Sequence, residues 1–415
     1  MVLIESFSLR SATMGLLFEN DFHDGFGSWP LAYIPYGGAT FGEVAAVARA
    51  VGSGDDSAYY QAWIAAGDRL FEEGERVLGK GHRASARDLF LRASSFYATA
   101  YHPIYGKPVD PRLPAAFRKQ VLALDRGLAL GSLPVAPARI AFDGASMPAY
   151  LIPALGHEDK VRPLLIFTNG YDGTITDMYF ASAVAASRRG YHCLLFDGPG
   201  QGEMLYEHGV AMRPDWEVVI AAVVDYAATL DIVNPERIAL SGWSLGGYLA
   251  PRAASGEPRI AALIADPGQW GLSWGFRDYA MRLGATPEAA ANLGELDEEL
   301  LGRMEQIILA DRRLRWSIVQ RGYWVHGVDN LRDYLRSAQL YTMEGRAELI
   351  RCPTAITAAE DDRLAAKAPF FYDQLRCPKT LFRFTAAEGA GSHCEMENRS
   401  LLNGRLLDWL DEQFA

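Results

Sequence analysis

RIALSGWSLGGYLAPRAA, residues 237–254, runs from a short apolar strand pattern through a glycine-rich turn into a helix. At its centre Gly242-Trp243-Ser244-Leu245-Gly246 has the form G-x-S-x-G. With 40 glycines among 415 residues, chance supplies on the order of a quarter of such a match per chain, so the string alone is weak. Its setting is informative. A serine on a tight strand-to-helix turn needs small neighbours, presents its hydroxyl above the sheet edge and puts the next backbone N–H at a helix start. Ser244 is therefore read as a nucleophile, against the plain alternative of a structural turn.

Outward from this turn the chain repeats one pattern. Short apolar runs, PLLIFTNG (163–170), YHCLLFDG (191–198), AALIADPG (261–268), PTAITAAEDD (353–362) and TLFRFTAAEG (380–389), are separated by helical stretches. Strands alternating with helices imply right-handed crossovers and a mostly parallel sheet covered on both faces. Before them ARIAFDGASMPAYLIPA (138–154) reads as a hairpin around Asp143-Gly144. The expected architecture is an α/β fold over 137–415 with an inserted helical cap at about 268–348, because the gap after Asp266 is too long for a simple crossover. Residues 1–136 are expected to form a mainly helical N-terminal domain. The segments 58–78, 85–101 and 115–130 carry apolar residues at spacings of three and four, and HPIYGKPVDPRLP (102–114) punctuates them as a fixed turn.

A serine hydroxyl needs a base within hydrogen-bond reach, itself oriented by an acid. Downstream of Ser244 the only histidines are His326, inside the presumed cap, and His393, after the last strand. His393 is the expected base. Asp361 and Asp362 follow PTAITAAE. Asp362 is favoured as the acid, with Asp361 as a solvated turn residue. An oxyanion needs two preorganised donors. The N–H of Leu245 is expected to be one, and the N–H of Tyr171, in the turn FTNGYDG (167–173), the other. DGPGQG (197–202) lacks nucleotide-loop spacing and reads as a structural turn beneath the site. Trp243, Trp270, Trp274, Trp316 and Trp324 fall in or beside the insert; Trp243, Trp270 and Trp274 are expected to line a substrate pocket.

With 49% hydrophobic and 22% charged residues, this composition is that of an ordinary globular chain, and the net charge of −11 disfavours nucleic acid as partner. The four cysteines are scattered, so neither a zinc site nor a disulfide framework is expected. No cofactor motif stands out. MVLIESFSLRSATMGLLFEN does not read as a secretory signal, and no apolar run is long enough for a membrane span, so a cytoplasmic protein without membrane contact is expected.

Taken together, NGYDG, DGPGQG, GWSLGG, EDDRL (360–364) and GAGSHCE (389–395) resemble the α/β-hydrolase superfamily. With the N-terminal helices they look like its branch around 2,6-dihydroxypseudooxynicotine hydrolase, the fungal yellowish-green polyketide-shortening hydrolases and the FrsA-like esterases. The resemblance implies triad roles for Ser244, Asp362 and His393, and cleavage of a C–C bond in a 1,3-diketone or acyl-aromatic, polyketide-like small molecule through an acyl-serine. It also implies a homodimer. An acidic residue after the oxyanion glycine in one member implies a catalytic role for Asp172, intelligible as a proton donor to a carbon leaving group. A carboxylesterase or lactonase acting on an aromatic ester is the near alternative. An acyl-peptidase ranks lower because its usual partner domain is a β-propeller, and a noncatalytic binding module is disfavoured by the full Ser, Asp and His set.

Overall fold

The computed structural model describes residues 16–132 and 134–415; the first part of the stretch weighed above as a leader lies outside them. Eight strands form one sheet in the order β1-β2-β4-β3-β5-β6-β7-β8. Their ranges are β1 Ala138–Phe142, β2 Ala145–Ile152, β3 Arg162–Thr168, β4 His192–Phe196, β5 Val233–Trp243, β6 Ala262–Asp266, β7 Thr354–Ala359 and β8 Lys379–Phe384. β1 and β2 are the expected hairpin, closed by Asp143 and Gly144 at φ 48° and 76°, and β2 meets β4 antiparallel. From β4 to β8 all pairs are parallel. Every residue of β4, β6 and β7 is buried, as a parallel sheet covered on both faces requires.

The N-terminal segment is helical, with long helices at Asp56–Leu78, Arg83–Ala100 and Arg112–Leu128 and shorter ones before them, including Phe41–Val51. Asp55 begins the first of these by accepting the Ala58 N–H at 2.9 Å. These helices have a core of their own around Val44, Tyr59, Trp63 and Phe96. A second cluster crosses segment boundaries: it joins Phe22, Tyr101, Tyr105 and Phe117 to Ile140 and Leu194 of the sheet and to Trp316 and Trp324 of the insert. The insert between β6 and β7 is helical from Ser273 to Leu340 and carries a third core around Tyr279, Leu300, Met304 and Leu335.

The parallel strands end on the side where the chain turns after β3, β5, β7 and β8. Ligands bind at such carboxyl ends in open α/β sheets, where loops from several strands converge. Among the described residues no helix is long and apolar enough to cross a membrane, and all four cysteines are free.

Candidate active site

Ser244 follows the last residue of β5 and precedes the helix Gly246–Ala254. Its backbone is left-handed, φ 59°, and its N–H donates to the Asp266 carbonyl at 2.7 Å. A non-glycine residue held there costs about 1 kcal/mol or more, so the surrounding turn must hold it. The turn is tight enough that a Cβ on Gly242 would lie 1.9 Å from the Gly246 carbonyl oxygen. Gln269 ties down the other side, its Nε2 donating to the Ser244 carbonyl at 2.7 Å.

The loops after β7 and β8 bring two more groups to this hydroxyl. His393 Nε2 lies 2.9 Å from Ser244 Oγ, and His393 Nδ1 lies 2.7 Å from Asp362 Oδ2. These partners select the tautomer in which Nδ1–H donates to the carboxylate and Nε2 accepts from the hydroxyl. Asp362 is buried and its Oδ1 accepts the Leu364 N–H at 2.9 Å, whereas Asp361 is exposed. Burial pushes the His393 imidazole down; the charge and hydrogen bond of Asp362, helped by Asp266 and Asp172, push it further up, so it ends above its ordinary value of 6.5. The arrangement can take a proton from the hydroxyl and hold the resulting imidazolium.

The loop that aims His393 is itself strained. Cys394 and Glu395 have φ of 54° and 48°. Arg399 stitches them down from below, Nη1 donating to the Cys394 carbonyl and to Asp266 Oδ2, both at 2.8 Å. This buried pair also fixes Asp266, whose carbonyl receives the Ser244 N–H. No local motif marks Arg399, and the sequence reading missed it.

Facing the serine is the turn after β3. A Cβ on Gly170 would lie 2.7 Å from the Leu245 N and 3.1 Å from Ser244 Oγ, so the space between Leu245 and Ser244 is open only because position 170 is glycine. Gly170→Ala is expected to lower kcat about 10²- to 10³-fold and to lower the melting temperature as well, because the added Cβ would meet the Leu245 N at 2.7 Å and the Ser244 Cβ at 2.9 Å and push the two turns apart; steady-state kinetics beside a thermal melt check this. Gln201 of DGPGQG grips the same turn: its Nε2 donates to the carbonyls of Asn169 and Gly170 at 2.7 and 3.2 Å. Tyr105, from the N-terminal segment, donates its hydroxyl to the Tyr171 carbonyl at 2.8 Å. Both holds fix the backbone next to Gly170, which faces Ser244 and Leu245, while the Tyr171 hydroxyl is 2.6 Å from His326 Nε2. Burial, then Arg321, pushes His326 down to about 3, so it is neutral and pairs with Ser337 on its other nitrogen.

Asp172 is buried and accepts from Arg321 Nη1 at 3.1 Å. A carboxylate paired with a guanidinium is an acceptor.

The tryptophans divide. Trp243 meets Trp29 at 5.8 Å between ring centroids, and an aromatic run continues from Trp29 to Phe26 at 5.5 Å, then to Trp316 at 5.0 Å. Tyr105 links that run to Trp324 at 5.0 Å. Trp270 instead packs on Phe370 and Phe371, and Trp274 lies under Lys367. Those contacts sit at the junction of the insert with the segment after Asp362.

Residues 165–401 match the sequence pattern of the alpha/beta hydrolase family. Hydrolase acrC of Aspergillus aculeatus is 32% identical over 92% of this chain and 94% of its own. The chain belongs to the α/β-hydrolase family. It is an enzyme of the hydrolase class, and its similarity to other hydrolases of the family runs through the N-terminal helices as well as the sheet. The 20-hydroxy-prefusarin hydrolase FUS2 of Gibberella moniliformis is 30% identical over 93% of the chain and 94% of its own. Among solved structures, the 2,6-dihydroxy-pseudo-oxynicotine hydrolase shares the fold with a TM-score of 0.69 at 22% identity, covering 92% of this chain and 94% of that one.

Proposed function

We propose that this α/β-hydrolase acylates Ser244 and cleaves a C–C bond next to a carbonyl in a small aromatic or polyketide-like substrate. The contact that carries the serine reading is the 2.9 Å approach of His393 Nε2 to Ser244 Oγ, with Asp362 at 2.7 Å behind the imidazole. In this reading Ser244 attacks the scissile carbonyl as His393 takes its proton, and the oxyanion is received by the N–H groups of Leu245 and Tyr171. Trp243 and the aromatic run from Trp29 to Trp316 supply the apolar wall. Trp270 and Trp274 are assigned to its outer rim, near the loop of Asp362.

The choice of a carbon leaving group rests on Asp172 with Arg321. An ester leaves as an alkoxide or phenoxide and needs only the imidazolium proton, whereas a carbon leaves as an enolate and gains from a second charged group. In this reading Asp172 lies on the leaving-group side of the bond. Its charge raises the proton affinity of His393, and it holds the guanidinium; the proton for the departing carbon then comes from His393. Full-length similarity to hydrolases, one of them named for 20-hydroxy-prefusarin, supports a small-molecule substrate.

The experiment compares benzoylacetone with p-nitrophenyl acetate. The native enzyme is expected to release benzoate or acetate from the diketone, and Asp172→Asn to lower diketone cleavage roughly tenfold more than ester hydrolysis. Ester turnover without any diketone cleavage would favour the carboxylesterase or lactonase reading, which the Ser244, His393 and Asp362 geometry serves equally well.

A further inference from the structure

Arg321 enters the site from the insert, on the wide π-helical turn Arg315–Gly322, a winding that recurs at functional positions. Two contacts with the N-terminal segment fix that turn. The Lys107 N–H donates to the Gln320 carbonyl, and Trp316 Nε1 donates to the His102 carbonyl, both at 2.9 Å. The guanidinium carbon lies 4.9 Å from the centroid of the Tyr171 ring and 4.7 Å from that of Trp316. Nη1 is taken by Asp172 at 3.1 Å. Nε is buried without a hydrogen-bond partner, and Nη2 has none among the described residues, while the side chain keeps 20% of its accessible surface.

A guanidinium drawn into aromatic surroundings loses hydration, and one monodentate carboxylate contact leaves its planar fork unfinished. An anionic oxygen is the partner that completes it. Asp172 stands two residues beyond Gly170, whose Cβ would lie 3.1 Å from Ser244 Oγ, and its charge reaches His393.

We infer that Arg321 is a specificity-determining residue that binds the leaving-side carbonyl oxygen of a 1,3-dicarbonyl, the oxygen that becomes the enolate oxygen when the C–C bond breaks, and so also holds the preformed enolate of such a compound. The inference rests on the acyl-serine, C–C reading above and narrows its substrate class. Ser244 Oγ bonds to the scissile carbonyl carbon, and its proton passes to His393 Nε2. When the tetrahedral intermediate collapses, the C–C bond breaks and its electron pair moves onto the leaving carbon and, by conjugation, onto the neighbouring carbonyl oxygen. Arg321 receives that oxygen. His393 then returns the proton to the carbon, the ketone departs, and water cleaves the acyl-serine to a carboxylic acid. Negative charge thus moves from the donors beside Leu245 to a separate cation.

Full-length Ser244→Ala protein titrated with benzoylacetone tests this without turnover. Binding is expected to bring up the red-shifted enolate absorption at a pH where the free diketone is un-ionised. Adding Arg321→Met should remove that band and weaken binding roughly 30-fold, and Arg321→Lys should restore part of both. In the enzyme with Ser244 intact, Arg321→Met should lower benzoylacetone cleavage roughly 30-fold more than p-nitrophenyl acetate hydrolysis, the fold being checked by circular dichroism. An unchanged band and affinity in the Met variant, or equal losses on both substrates, overturns the inference. If the intact enzyme leaves benzoylacetone uncleaved while Ser244→Ala binds its enolate through Arg321, the cleavage reading falls and the Arg321 assignment stands. If the Arg321→Met enzyme cleaves benzoylacetone as fast as the native one, the reverse holds.

Discussion

Ser244→Ala is expected to lower kcat roughly 10⁶-fold on any substrate the enzyme turns over, leaving only what binding and the oxyanion donors contribute. It should also abolish covalent labelling by a fluorophosphonate, read by mass spectrometry of the peptide spanning 238–252. The loss is large because the turn serves one atom. The left-handed backbone at Ser244, the collision that any side chain at Gly242 would cause and the hold of Gln269 on the Ser244 carbonyl together aim Oγ at His393. Labelling that persists in the alanine variant, or activity within tenfold of native, would remove Ser244 from the chemistry.

Asp362→Asn carries the second largest expected effect, a fall in kcat of about 10⁴-fold, because the amide no longer selects the tautomer with Nδ1–H and no longer compensates the imidazolium. It also moves the pH profile, with a sign that follows from the balance at His393. In the native enzyme burial lowers the imidazole pKa and Asp362 more than reverses this, so kcat/KM is expected to rise with pH through a value above 6.5 as the base loses its proton. Without the Asp362 charge, burial gains weight and the residual activity should reach its plateau at lower pH. A limb that stays in place or moves to higher pH would exclude Asp362 as the main source of the shift. Asp361→Asn, at an exposed turn position, is the control.

How much of this was legible in the sequence follows from the range over which each feature is written. The strand-turn-helix around Ser244 is local: a serine between glycines at the end of an apolar run leaves few backbone solutions, and the structure has the expected parallel sheet around it. The order of Asp362 and His393 after later strands is also local, since each loop needs only its own strand. Arg321 and Asp172 are 149 positions apart, and nothing near either one signals the pair. Trp29 and Phe26 were overlooked because the short helices before Phe41 are too brief for periodicity to reveal. Trp270 shows what closeness along the chain leaves open. It lies four residues past β6, yet its ring turns to Phe370 and Phe371, because the chain leaves the sheet edge toward the segment after Asp362.

The link between Lys107 and Gln320 has a consequence for anyone recombining these enzymes. A Cβ on Gly106 would lie 2.5 Å from the Gln320 carbonyl, so the N-terminal helices and the insert are fitted to each other at backbone level, not merely side chain to side chain. Exchanging the insert alone with that of a relative would pair mismatched surfaces and break the ring contacts that join Phe26 to Trp316 and Tyr105 to Trp324. A working exchange therefore has to be discontinuous: two stretches separated by most of the sheet must travel together, along with the turn after β3 that Tyr105 and Arg321 both grip.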